Sequence, residues 1–310
     1  MKAVLFEKHG GPEVLHLAEV PDPTAGPGEV IVDIHAASVN AADYKVRLGG
    51  SAYGGGGVKL PHILGRDFSG VVSALGAGVS DFTIGDAVFG VCDQGVEGAY
   101  AEKIAIKAAI IAKKTARLGH AEAAAMALTS ITALWALEDT AKLEPGETIL
   151  IQGGAGGVAG FAIQLAKHLG AMVITTASAR NHDYVRGLGA DRVIDYNTED
   201  FTRTVSKCDV VFDTVGGEVQ VRSYDVLKPG GRLVWIASAP VGFRPSRTDV
   251  QVLRPSVARD RAHLERMLAL LDAGAVSPPA ITRFKLADAA EAHRISEGRH
   301  LQGKLVFEIR

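Results

Sequence analysis

Between residues 147 and 180 the chain reads ETILIQGGAGGVAGFAIQLAKHLGAMVITTASAR, and its apolar positions change period twice. Residues 148 to 152 form a short apolar run with β-branched side chains, which predicts a strand. Glycines follow at 153, 154, 156, 157 and 160. Phe161, Ile163, Leu165, Ala166 and Leu169 then recur at helical spacing until Gly170 closes the helix. Residues 173 to 176 return to strand character. Further strands are predicted over 192 to 195, 209 to 213 and 231 to 237, and LKPGG at 227 to 231 is expected to end a helix before the last of them. Strand and helix alternating in this way imply an α/β fold, a doubly wound parallel sheet with helices on both faces.

The first 110 residues follow a different pattern. Short alternating or apolar runs at 3 to 6, 30 to 34, 70 to 75, 87 to 91 and 100 to 104 are separated by turn chemistry such as PDPTAGPGE (21 to 29), with no helical period between them. Consecutive strands of this kind predict a small barrel-like β domain. Residues 48 to 65 are glycine-dense around a single tyrosine, Tyr53. They read either as a surface loop or as a wall of a substrate cleft in which Tyr53 stacks or donates a proton. Residues 120 to 141 carry strong helix formers without glycine or proline, and predict one or two buried helices. Beyond the second domain an amphipathic helix is expected over 259 to 272, another over 287 to 297, and a strand over 304 to 309. The domains are therefore expected at 1 to 120 completed by 276 to 310, and at 121 to 275.

Composition narrows the function. A net charge of −2 and 47% hydrophobic residues describe a soluble protein, and no basic stripe with interleaved aromatics offers itself to nucleic acid. Residues 148 to 166 are uncharged, but five glycines and Gln152 argue against a membrane span. The two cysteines, Cys92 and Cys208, make no CxxC pair, so neither a disulfide framework nor a cysteine-rich metal site is supported, and a reducing, cytoplasmic compartment is expected. No targeting segment is evident at the N-terminus.

The glycine turn carries the chemistry. Gly154-x-Gly156-x-x-Ala159 fits a dinucleotide fingerprint: a tight turn, a close backbone approach to a pyrophosphate, and a small residue where helix packs on strand. Gly154, Ala155, Gly156, Gly157 and Val158 would then cradle phosphates at a helix N-terminus. An NAD site of this kind places a carboxylate at the end of the second strand. Here Ser178 and Arg180 stand there instead, and the guanidinium fork of Arg180 suits a 2′-phosphate, so NADPH is the expected cofactor.

The segments ASVNAADYK (37 to 45), LPHILGRDFSGVVSALG (60 to 76), IGDAVFG (84 to 90), GAYAE (98 to 102), ALTSITAL (127 to 134), GGAGGVAG, LGADRVIDY (188 to 196), VVFDTVGG (210 to 217), LKPGGRLVWIAS (227 to 238) and LADAAEAHRISEGRHLQGKLV (286 to 306) occur in this order along nearly the whole chain. In this the chain resembles the medium-chain dehydrogenase/reductase superfamily, specifically its zinc-independent quinone oxidoreductase branch, which includes the zeta-crystallin-like proteins. The resemblance implies an N-terminal GroES-like β-barrel domain completed by the C-terminal tail, with a Rossmann domain inserted between. It also implies a homodimer.

The zinc enzymes of that superfamily hold their metal with a cysteine, the histidine of a GHE segment and a later cysteine. By resemblance those positions are Asn40, Arg66 within Gly65-Arg66-Asp67, and Ala127, so no metal ligand set is expected. None of the ten histidines forms an HxxxH or HExxH pair, and His293 and His300 are expected to be solvated. The resemblance further places Asn40 and Asp43 near the nicotinamide ribose, with Asn40 either donating its amide to a substrate carbonyl or capping a turn. Thr129 would lie near the nicotinamide and Tyr196 on the adenosine side, and Ser238 ends a strand where a doubly wound sheet has its crevice. Arg66 either pairs with Asp67 or binds an anionic or carbonyl group of the substrate. The function these features imply is hydride transfer from NADPH to a small-molecule quinone or α,β-unsaturated carbonyl. Enoyl-thioester reduction, or NADPH binding with little turnover as in crystallin-like relatives, are the alternatives.

Overall fold

The computed structural model describes residues 1–50, 57–93, 95–245, 247–256 and 258–310. Tyr53, a candidate proton donor, lies outside the described residues. The chain divides into two compact units, one of Met1–Leu128, Ala258–Ala269 and Pro278–Arg310, the other of Thr129–Val257 and Leu270–Ser277.

In chain order the first unit contributes strands β1 (Lys2–Phe6), β2 (His16–Glu19) and β3 (Glu29–Ser38), helix α1 (Ala41–Arg47), and strands β4 (His62–Ile63), β5 (Asp67–Leu75), β6 (Ala87–Val91), β7 (Lys103–Lys107) and β8 (Ile111–Lys113). Helix α2 (His120–Leu134), continued by a π-helical turn at Trp135–Thr140, carries the chain into the second unit. That unit holds β9 (Thr148–Gln152), α3 (Gly157–His168), β10 (Met172–Ala177), α4 (His182–Gly187), β11 (Arg192–Asp195), α5 (Phe201–Thr204), β12 (Cys208–Asp213), α6 (Glu218–Ser223), β13 (Leu227–Trp235) and β14 (Gln251–Leu253). Helix α7 (Arg261–Asp272), β15 (Ile281–Lys285), α8 (Ala289–Glu297) and β16 (Lys304–Glu308) follow.

In the second unit the six strands are all parallel in the order β11-β10-β9-β12-β13-β14. Chain order reverses between β9 and β12, so the carboxyl ends of these two strands form the switch point at which doubly wound sheets bind ligands. In the first unit β3 is the spine of a seven-stranded sheet, pairing antiparallel with β5, β7 and β16. Val30, Val32, Ile34, Phe68, Val72 and Phe307 pack into one core cluster, and each such burial is worth about 1.5–3 kcal/mol. The C-terminal strand β16 thus completes the sheet that β3 begins.

Three local expectations are overturned. LKPGG lies inside a strand rather than before one: α6 and the 3-10 turn that continues it over Tyr224–Val226 end where it begins, and Leu227 already pairs with Cys208 in the β12–β13 ladder. The ladder resumes at Val210 opposite Arg232, so Lys228 to Gly231 form a bulge in which Pro229 needs no N–H donor and Gly230 has φ 77°. The strand expected over 100 to 104 begins at Lys103; Tyr100 is turned inward, fully buried, with its N–H bonded to Leu64 O at 2.9 Å. His293 is wholly buried on α8 rather than solvated, with its ring edge-on to that of Tyr100.

Candidate active site

The glycine turn in the second unit leaves β9 at the switch point. Gly154 N–H bonds to Thr176 O (2.9 Å) and Gly153 N–H to Thr176 Oγ1 (3.0 Å), which ties the turn to the end of β10. On the other side the Thr214 hydroxyl donates to Gln152 O at 2.8 Å. Glycine at 154 is dictated by the approach of β10, because a Cβ there would lie 2.2 Å from Thr175 Oγ1. Helix α3 then opens with Gly156 as its N-cap and no side chain capping it, which leaves the N–H face of this twelve-residue helix to a ligand. Gly157 and Val158 begin that helix. A cradle closed to a side chain, followed by an uncapped helix, fits a dinucleotide pyrophosphate.

The remaining nucleotide-side candidates come to the same edge of the sheet. Ser178 follows β10, and Asn181 Nδ2 donates to its hydroxyl at 3.2 Å. Arg180 is exposed in the short turn beyond. Ala177 pairs with Asp195, so Tyr196, 44% exposed, leaves the neighbouring strand beside Ser178. Ser238 is exposed, and its carbonyl accepts from Gly217 N–H at 2.9 Å. Thr129 is buried inside α2.

The first unit holds a dense polar cluster. Asp43 is completely buried and its carboxylate accepts from Asn40 N–H (2.8 Å), Tyr100 O–H (2.8 Å) and Arg66 Nε (3.1 Å). Burial pushes this carboxyl up to about 6, against the opposing pull of Arg66 and the Asn40 and Tyr100 hydrogen bonds. Arg66 also donates through Nη2 to Glu97 Oε1 at 2.8 Å, and Glu97 faces His62 Nε2 at 3.0 Å. Burial raises Glu97, but His62 and Arg66 outweigh it and hold this carboxyl below its ordinary value. Arg66 therefore pairs with Asp43 and Glu97, not with Asp67. It is 2% exposed with its charge already shared between two carboxylates.

Asn40 caps α1, and its side chain is used up within the protein. Nδ2 donates to Asp67 Oδ1 (2.8 Å) and Ser38 O (3.3 Å), while Oδ1 accepts from Lys304 Nζ (2.7 Å). The amide thus has no proton left for a substrate carbonyl. Lys304, on β16, is buried and also donates to Val39 O at 2.8 Å. Burial lowers its ammonium from the usual lysine range, opposed by Asp67 and Asp43. Gly65, at φ 96°, makes the cluster possible, since a Cβ there would strike Tyr100 Cδ1 at 2.4 Å. Glu97, Tyr100 and Lys304 were not singled out from the sequence, although Tyr100 lies in GAYAE and Lys304 in GKLV.

A model described as an alcohol dehydrogenase GroES-like domain matches residues 26–116, and one described as a zinc-binding dehydrogenase matches residues 188–307. The chain is 33% identical to the quinone oxidoreductase of Pseudomonas aeruginosa, over 99% of both chains. It belongs to the medium-chain dehydrogenase/reductase superfamily. Among other superfamily members, it is 33% identical to the chloroplastic NADPH-dependent alkenal/one oxidoreductase of Arabidopsis thaliana, covering 99% of this chain and 79% of that one. The solved quinone oxidoreductase of Coxiella burnetii superposes with a TM-score of 0.92 at 36% identity, covering 100% of this chain and 99% of that one. That of Escherichia coli, complexed with NADPH, gives 0.88 at 30% identity over the full length of both.

The zinc named in one family description does not fit these residues. Where the superfamily's zinc enzymes have ligands, this chain has an amide already bound at both ends, a guanidinium, and the methyl group of Ala127. Cys92 is nearby in the same unit but is held as a thiol, its ionisation strongly opposed by burial. Among the described residues no three His, Cys, Asp or Glu side chains stand where they would hold a metal. Nor is any described helix long and apolar enough to cross a membrane.

Proposed function

We propose that the protein is an NADPH-dependent oxidoreductase that reduces quinones or α,β-unsaturated carbonyls without zinc. The observation that carries the cofactor is the end of β10, where Ser178 and exposed Arg180 replace the carboxylate of an NAD site, one strand from the glycine cradle. The backbone N–H groups of Gly157 and Val158 would hold the pyrophosphate, Arg180 with Ser178 would take the 2′-phosphate, Tyr196 would serve the adenosine, and Ser238 borders the switch point. The names of the relatives support the acceptor class: one is a quinone oxidoreductase, another an NADPH-dependent alkenal/one oxidoreductase.

Bound NADPH supplies the hydride, and the protein supplies orientation and electrostatics. Asp43 and Arg66 act as a buried pair that holds the N-terminus of α1 in place through the Asn40 N–H. Lys304 fixes the Asn40 amide, so Asn40 positions this backbone instead of donating to the acceptor. Arg66 occupies the superfamily's metal position with a charge that is neutralised internally, which is why no Lewis acid is assigned a role. The protein is expected to work as a cytoplasmic homodimer.

The test is NADPH oxidation against a panel of quinones, enals and enoyl thioesters, with NADH as control. Reduction of quinones or enals in preference to thioesters supports the assignment. Equal rates with NADH overturn the cofactor, and NADPH binding with no acceptor reduced overturns the enzyme.

A further inference from the structure

Gln152 is the last residue of β9, paired with Asp213 of β12 directly before the glycine turn, and it is 1% exposed. An amide buried so completely needs a partner at each end. Both are present, and their directions are fixed. The Ser223 hydroxyl on α6 donates to Val219 O at 2.7 Å, so its oxygen accepts, and Gln152 Nε2 donates to it at 3.2 Å. Gln152 Oε1 is thereby turned towards β10, where it accepts from the Thr176 hydroxyl at 2.8 Å. With its proton committed to Gln152, Thr176 Oγ1 offers its lone pairs to the Gly153 N–H, the 3.0 Å bond at the entrance of the turn.

The next N–H, that of Gly154, ends on the carbonyl of the same threonine at 2.9 Å. Glycines at 153, 154 and 156 give the turn no side chains with which to fix its own course, and Gly153 stands at φ 76°, so the course is set by what holds these N–H groups. The Gln152 carbonyl is itself held by the Thr214 hydroxyl at 2.8 Å. One buried glutamine thus joins the two sides of the switch point, β10 with the glycine turn on one side and α6, which follows β12, on the other.

We infer that Gln152, acting through the Thr176 hydroxyl, is a positioning residue for the cofactor's pyrophosphate: it sets the course of the glycine turn and with it the N–H groups at the start of α3. The inference rests on the cofactor proposed above.

The test is the NADPH dissociation constant of the full chain, followed by the emission of the cofactor, beside the melting temperature. In Thr176→Val, which keeps the shape and loses the hydroxyl, the dissociation constant is expected to rise about five- to tenfold, the worth of about one hydrogen bond. In Thr176→Ser, which keeps the hydroxyl, it is expected to stay within about twofold of the wild type's. Gln152→Leu should match Thr176→Val, and the double variant should bind no more weakly than either alone, because the two side chains act through one link. The two Thr176 variants decide the question by themselves if Gln152→Leu does not fold. A lowered melting temperature in Thr176→Val with unaltered NADPH binding means that the link only supports the core; it overturns the inference and leaves the cofactor reading standing. An equal loss in Thr176→Ser, or a double variant whose loss is the product of the single ones, also overturns the inference. Binding of neither NADPH nor NADH by the wild type overturns the cofactor reading and the inference together.

Discussion

Replacing Arg66 by methionine is the sharpest test of the buried cluster. The guanidinium, 2% exposed, touches Asp43 Oδ1 at 3.1 Å and Glu97 Oε1 at 2.8 Å, and those carboxylates are 0% and 2% exposed. Removing one partner of a buried ion pair costs about 3–5 kcal/mol, because the other charge is left without compensation. Here Glu97 keeps His62, and Asp43 keeps the Asn40 N–H and the Tyr100 hydroxyl, so a loss near the lower end, about 3 kcal/mol, is expected at pH 8. The loss depends on pH with a definite sign. Burial already raises Asp43 to about 6, and losing Arg66 raises it further. A carboxyl raised by folding makes its contribution fully below its unfolded value of about 4 and loses it as pH rises through the folded value. The Arg66→Met penalty should therefore be smallest near pH 5, where Asp43 is protonated, and largest at pH 8. Urea unfolding followed by far-UV circular dichroism measures it; both tryptophans, Trp135 and Trp235, belong to the second unit, so fluorescence would miss the first. In the triple variant Arg66→Met, Asp43→Asn, Glu97→Gln most of the stability should return, since no buried charge is stranded. A penalty under about 1 kcal/mol at pH 8, or one unchanged from pH 5 to pH 8, refutes the reasoning.

Gly154→Ala should lower stability by about 1–3 kcal/mol and weaken NADPH binding, because the added methyl meets Thr175 Oγ1, itself held by Ile151 O at 2.7 Å. Adding Thr175→Ala should recover binding, and an unaltered NADPH dissociation constant in Gly154→Ala alone would sink the cradle. Arg180→Ala should raise KM for NADPH about 10- to 100-fold, the range for one charge-assisted contact, and leave turnover with NADH unchanged; an unaltered NADPH affinity contradicts the 2′-phosphate assignment. Dialysis against a chelator should leave the rate of NADPH oxidation as it was, whereas activity lost to the chelator and restored by zinc would contradict the zinc-free reading. Lys304→Met should destabilise the first unit by about 1–3 kcal/mol by leaving Val39 O and Asn40 Oδ1 unmet, and a melting temperature equal to the wild type's would show that these acceptors find other donors.

The Rossmann sheet was legible because its signals are local. The apolar run of β9, the glycines and the helical period of α3 lie within some thirty consecutive residues, and each element constrains the next. The strands at 192 to 195 and 209 to 213 were read close to their true bounds for the same reason, being short apolar runs between turns. LKPGG misled because proline and glycine interrupt a helix and a ladder alike; only the pairing of Leu227 with Cys208 tells which. Strand β2, exposed along most of its length, carries no apolar alternation to find.

The polar cluster was only half legible, because its members are brought together by pairing across the sheet rather than by spacing. Asn40, Asp43 and Arg66 drew notice through their place in recognisable segments, but their partners come from β16, from the loop before β7 and from Tyr100. His293 reads as a polar position on an amphipathic helix, and its burial follows from Tyr100 turning inward below Gly65. The consequence for function runs through Arg66. A guanidinium at the superfamily's metal position reads from sequence either as a partner for Asp67 or as a substrate anchor. The structure gives it Asp43 and Glu97 as partners instead of Asp67, and leaves it 2% exposed with its charge shared between two carboxylates. The cluster acts on α1: Asp43 accepts from the Asn40 N–H and Lys304 donates to the Asn40 amide, so a substitution at Arg66 is expected to reach function through the position of that backbone.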